Sequence, residues 1–170
     1  MALEKYRQWP DTLPEVTMPQ HLDHHDAEIL LRLYELRREE KLRAARAWFI
    51  TGFQADSAEG VMKRYPPGSQ EEVYSRMVGS YWEMAASILN HGLINEDLFF
   101  ENTGELWAVW NKIEPLLAGM REMSHNPHMF ENLERAGKKY EAWMEKHSPG
   151  ALTFRKARLA AIQATPAEKK

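Results

Sequence analysis

The 170-residue chain contains no cysteine. That excludes disulfides, thiolate nucleophiles and cysteine-based zinc sites, and it fits a reducing compartment, so a cytoplasmic location is expected. No stretch approaches ~20 uninterrupted apolar residues, and Met1-Ala2-Leu3-Glu4-Lys5 lacks the apolar run of a signal peptide. A soluble protein without a membrane span is the expectation. Positive charge is not in excess: the formal net charge is -3, which gives no reason to expect a nucleic-acid surface. There is no glycine-rich phosphate cradle, no serine in a glycine-elbow context and no internal repeat. No cofactor is expected.

What is present is the composition of a globular protein, 44% hydrophobic and 28% charged, in a chain long enough to bury a core. The expected fold is all-α: a compact bundle of four or five main helices around a central antiparallel hairpin. Pro10, Pro14 and Pro19 deny residues 1–20 a continuous helix, leaving an extended arm whose Trp9, Leu13 and Val16 can dock on the domain. Residues 21–163 form one helical-bundle domain on this reading, and 164–170 a frayed tail.

The hairpin is the stretch from Ser69 to Ser124. Ser69-Gln70-Glu71-Glu72 has capping-box form. Tyr74, Met77, Tyr81, Met84 and Ile88 then recur at spacings of three and four, with Val78, Trp82, Ala85 and Leu89 beside them. Gly79 and Ala86 offer a close approach to a second helix. Gly92 is a natural terminator, and Asn95 opens the next segment. There Phe99, Thr103, Leu106, Trp110, Ile113, Leu117 and Met120 step 4-3-4-3-4-3. Pro115 interrupts that seam and predicts a kink near Asn111–Glu114.

Elsewhere, one helix is expected from Ala27 to Trp48 or beyond, leaving the core at Arg37-Arg38-Glu39-Glu40-Lys41 and wet all round there, a solvated face or a partner's docking surface. Ser57 caps a short segment, and Pro66-Pro67-Gly68 makes a turn. Asn126-Pro127 is read as cap and first helical residue of a helix ending at His147, in which Gly137 marks a close helix contact. The last segment, Phe154 to Ile162, is basic. Through Arg155, Lys156 and Arg158 it offers weak, salt-sensitive attraction to anionic surfaces.

Chemistry has few candidates. His21, Asp23, His24, His25 and Asp26 combine imidazoles and carboxylates, the ligands transition metals take, but Asp23 or Asp26 also suits a helix cap. Glu122-Met123-Ser124-His125 is a single Glu-x-x-His, whereas di-metal bundles use two. Glu83, beside Gly79 and Ala86, must find an arginine, histidine or backbone donor if covered; the alternative is a general base. No catalytic, cofactor-binding or metal-binding residue is assigned.

In Asp26-Ala27-Glu28-Ile29-Leu30-Leu31-Arg32-Leu33-Tyr34-Glu35-Leu36-Arg37-Arg38-Glu39, in Ser80-Tyr81-Trp82-Glu83-Met84-Ala85, in Leu93-Ile94-Asn95-Glu96-Asp97-Leu98-Phe99-Phe100 and around Trp110-Asn111-Lys112-Ile113-Glu114-Pro115, the chain resembles a bacterial all-helical family known only as a domain of unknown function. The likeness covers roughly residues 25–135. It implies a helical module, joined in some members to a membrane anchor, and assigns no functional residue. The expected function is a non-enzymatic protein–protein interaction module that self-associates, with a dimer favoured, or binds another protein. The alternative is a small metal-dependent or acid–base enzyme using the His21–Asp26 cluster or Glu83.

Overall fold

The computed structural model describes residues 22–164 and, for side chains, residues 22–161. The expected arm at 1–20 and the tail beyond Ala164 lie outside the described residues. Helices account for nearly all regular structure, and no strand occurs among the described residues.

Asp23 starts α1 (His24–Arg38). Its Oδ1 accepts the amides of His25 and Asp26, and the Asp26 side chain returns to the Asp23 amide, a complete capping box. The expected single helix beyond this point is in fact two. At Glu39 the backbone turns extended (φ -53, ψ 136), and α2 (Glu40–Gly52) begins with the Glu39 carboxylate accepting the Leu42 amide at 2.8 Å. Those amide bonds hold the Glu39 carboxyl below its ordinary range. A local carboxylate competing for the next turn's amides explains the break.

After α3 (Ala58–Arg64), capped by Ser57 as expected, the turn at Pro66–Gly68 leads into α4 (Gln70–Asn90). Ser69 accepts the Glu72 amide at 3.1 Å, but the Glu72 carboxylate takes the Gly68 amide rather than that of Ser69. Gly92 (φ 69) lets the chain turn out of α4, and Asn95 caps α5 (Glu96–Asn102).

The long seam of the second segment is divided. Buried Thr103 turns its hydroxyl onto the Phe99 carbonyl, and α6 (Glu105–Ile113) restarts beyond Gly104. Pro115 then lies in a 3-10 turn, Glu114–Leu116, before α7 (Leu117–Ser124), close to the expected kink. Phe99, Thr103, Leu106, Trp110, Ile113 and Leu117 are all buried, so the pattern did mark core.

Asn126-Pro127 does not begin a helix. His125 and Phe130 adopt left-handed backbone (φ 50 and 53), Asn126 Oδ1 accepts the His128 amide, and α8 (Glu131–His147) starts four residues later than expected. The Asn126 cap is spent on a turn because left-handed His125 has already redirected the chain. α9 (Ala151–Ala164) follows.

Helix α4 is central. It packs chiefly against α2 and α8, while α6 lies mainly against α8. Trp82, Trp107 and Trp110 are almost wholly enclosed in one continuous core. Each such side chain contributes about 2–3 kcal/mol through burial. At Gly137, α8 lies directly against Trp110 of α6: a Cβ there would lie 2.3 Å from Trp110 Cγ, so only glycine admits the indole. At Gly79 the same service is given to Phe130, whose Cζ would lie 2.9 Å from a Cβ.

Candidate functional site

The sequence-level candidates resolve into helix-terminus chemistry. Glu83 accepts the amides of Asn132 (3.1 Å) and Leu133 (2.8 Å) and the Asn132 side-chain amide (2.9 Å). Its α8 neighbours are the second and third helical residues, where an N-cap side chain would ordinarily bond, and Phe130 at the cap position has nothing to offer. Glu83 therefore caps α8 from another helix. Its partners are two backbone amides and a side-chain amide, so among the described residues the ion pair with an arginine or histidine does not form.

The acidic pair near His24 and His25 is committed in the same way. Asp23 serves α1, and Asp26 Oδ1 accepts the Asn95 amide at 2.6 Å at the entrance to α5. Amide bonds hold the Asp23 carboxyl below its ordinary range. His24 and His25 lie side by side at the surface, their rings tilted by 37° with centroids 4.1 Å apart, and His25 Nδ1 lies 3.8 Å from Glu28. His21 lies outside the described residues. Among the described residues no group of three or more histidine, aspartate and glutamate side chains is placed to hold a metal ion. Glu122 and His125 are both exposed at the end of α7. In the basic tail, Arg155 donates to the Tyr140 hydroxyl at 2.5 Å, and Lys156 lies 3.7 Å from Glu141, so two of its three cations already have partners within the fold.

The charged stretch 37–41 is not wet all round. Arg37 bends inward, only 16% exposed, and reaches Glu105 at 3.3 Å while its guanidinium lies over the Trp82 ring. Arg46 of α2 meets Glu105 through both carboxylate oxygens, at 2.6 and 2.5 Å, and donates to the Arg37 carbonyl at 2.9 Å. The bond to Glu105 raises the Arg46 pKa above its ordinary value. Next to this triad Tyr81 donates to the Leu33 carbonyl at 2.8 Å, and burial pushes its phenol up to about 12. Alternating charges are solvated only when the helix continues; the break at Glu39 brings Arg37 and Arg46 to the same carboxylate.

These contacts explain an exposed apolar surface on α1. Helix α1 is fastened by Asp26 at one end, the Leu33 carbonyl in the middle and Arg37 at the other, with Leu33 as its buried apolar anchor. Ile29 and Leu30 are partly buried against the core, and Leu31 and Leu36 face outward. Leu31 is 61%, Leu36 50% and Met84 of α4 42% exposed. With Ile29 and Ile88 they line an open groove of about 610 Å³ between α1 and α4, edged by Glu28, Arg32 and Glu35. Leu36 falls at helical spacing from Ile29 and Leu33, yet it stays outside the core. It misses because α1 ends two residues later and the chain changes direction.

One buried charge had not been singled out. Lys112 of α6 donates to the Phe53 carbonyl at 2.9 Å and is only 6% exposed; burial pushes its ammonium down to about 8. The available signal was its setting: Leu106, Trp107, Val109, Trp110 and Ile113 wrap most of that short helix in apolar surface, so a lysine among them had little solvent to reach.

No helix among the described residues is long and apolar enough to cross a membrane. No curated protein and no solved structure matches the chain. A family model does match, over residues 22–140, from the residue before the α1 cap to Tyr140 within α8, and so takes in the α1–α4 groove, the Glu105 triad, Lys112 and the Glu83 cap. The chain belongs to the family described as Domain of unknown function (DUF4760).

Proposed function

We propose that this protein is a non-enzymatic helical interaction module that self-associates through α1 and the groove between α1 and α4. The single observation carrying this reading is the exposure of Leu31, Leu36 and Met84 together on one face. Contiguous apolar surface rimmed by charge is characteristic of an interaction site.

A second copy is the occupant that the pattern of α1 favours. At ~100° per residue, Leu31, Glu35, Arg32 and Leu36 fall within one stripe about 140° wide, away from buried Leu33. Two antiparallel copies of α1 related by a two-fold axis between residues 33 and 34 bring Leu31 opposite Leu36 and Arg32 opposite Glu35, each pairing occurring twice. A surface that matches itself in both apolarity and charge is what an isologous dimer needs. Arg32 and Glu35 now bond within the helix at 2.9 Å, both largely exposed, and exchanging that bond across an interface is nearly free in energy.

The test is the solution mass by light scattering over a concentration series. A dimer is expected, and Leu31→Glu with Leu36→Glu should yield a monomer of unchanged helicity, since both side chains are exposed. Arg32→Glu should weaken the dimer, and adding Glu35→Arg should restore it. A wild type that is monomeric throughout, or a dimer indifferent to these changes, would overturn the proposal.

A further inference from the structure

Lys112 is a buried charge that the fold does not neutralise with a carboxylate: among the described residues none lies within ion-pair distance of it. Its one hydrogen bond goes to Phe53, the C-cap of α2, so the ammonium also faces the negative end of that helix. This explains how the charge is tolerated. It uses one of the three donors that an ammonium carries.

The lysine borders a cleft of about 410 Å³ that also has Gln54, Asp56, Arg64 and Asn111 in its walls. Arg64 arrives from the end of α3 and donates to Gln54 Oε1 at 3.2 Å. The backbone here is held firmly: the Gln54 amide donates to the Tyr65 hydroxyl at 2.9 Å, and that hydroxyl reaches the carbonyls of Gly52 and Gln54. Two cations from different helices and a side-chain amide thus share a rigid, largely polar recess. Asp56 is the carboxylate among its walls, on an exposed residue.

We propose that this cleft binds a small oxyanion, a carboxylate or phosphate group, between Lys112 and Arg64. Such a ligand supplies the counter-charge that the interior leaves out, and it meets charge-assisted donors of two complementary kinds, a compact ammonium and a planar guanidinium. Asp56 opposes the ligand and limits the charge it can carry. The groove between α1 and α4 shares no residue with this cleft, so the site does not depend on the self-association reading.

The experiment titrates the full chain with inorganic phosphate and, separately, acetate at constant ionic strength, followed by calorimetry and by chemical-shift changes at Asn111 and Gln54. One saturable site per chain is expected for at least one anion. Arg64→Gln should weaken it at least fivefold and Lys112→Met should abolish it. Asp56→Asn should tighten it severalfold, and Arg43→Gln, on the exposed side of α2, should change nothing. Saturation with phosphate alone assigns a phosphate ligand; saturation with acetate assigns a carboxylate. Lys112→Met risks the fold, but Arg64 is exposed and its variant keeps the test decisive. Absence of a saturable site, or equal affinity in wild type and Arg64→Gln, would overturn the proposal.

Discussion

Glu83 and Leu133 lie on different helices, 50 residues apart, and the carboxylate of one accepts the backbone amide of the other at 2.8 Å. With the Asn132 amide bonded to the second oxygen, Glu83 does for α8 what a serine or aspartate at position 130 would normally do. Tertiary structure has thereby replaced a local cap, and α8 can start only where it is docked on α4. Glu83→Ala should destabilise the protein by about 2–3 kcal/mol, because two amides and a side-chain donor lose a charged acceptor together. Glu83→Gln should lose about half as much, keeping one acceptor oxygen. Urea denaturation gives both values; an unchanged midpoint in Glu83→Ala would remove the capping role.

Glu105 neutralises two arginines at once, both less than a fifth exposed. Removing it leaves two guanidiniums with no carboxylate, a worse state than removing either arginine. Glu105→Ala should therefore cost about 2–4 kcal/mol, toward the lower end of a fully buried pair because some solvent reaches the site. Arg37→Met should cost less, since the Arg46–Glu105 fork survives. If Arg37→Met proved the more damaging, the Arg37–Trp82 contact would outweigh the ion pair.

Gly137→Ala sets two effects against each other. Alanine gains about 1 kcal/mol in a helix interior. Its Cβ would stand 2.3 Å from Trp110 Cγ, an overlap that a rigid, enclosed indole relieves only by moving α6 away from α8. Overpacking of this kind costs about 1–3 kcal/mol or more, and a net loss of stability is expected, along with a changed tryptophan emission spectrum. Gly79→Ala should be milder, because there the obstacle is the tip of the half-buried Phe130 ring.

Lys112 predicts an uncommon response to alkali. Its ammonium titrates at about 8 in the fold against an ordinary value of 10.5, so between these limits the unfolded chain binds more protons and stability rises with pH. Tyr81 acts in the opposite sense higher up: its phenol is held to about 12 against 10.0, so the unfolded chain loses that proton first and stability falls above pH 10. Wild type should gain on Lys112→Met from pH 8 to 10 in urea midpoints measured side by side. Parallel curves for the two proteins would contradict the burial of the charge.

Much of the fold was legible along the chain because its signals are local. The 4-3 spacing from Phe99 to Leu117 marked buried positions, Ser57 and Asn95 stood where they cap, Gly92 where a helix stops, and Pro115 where one bends. Gly137 could be recognised as a close contact because so little else favours glycine within a helix. The breaks at Glu39 and Thr103 were hidden, since each depends on a side chain preferring one backbone group to another by a small margin. What the sequence by itself determined was the helical class, the positions of most apolar anchors and the absence of thiol chemistry. What only the tertiary structure decided was the fate of the charges: that Glu83 caps α8, that Arg37 and Arg46 converge on Glu105, and that Lys112 has a carbonyl in place of a carboxylate. Apolar burial follows a periodicity written into neighbouring residues, whereas an ion or an orphan amide is satisfied by whichever group the packing brings within about 3 Å, at any distance along the chain.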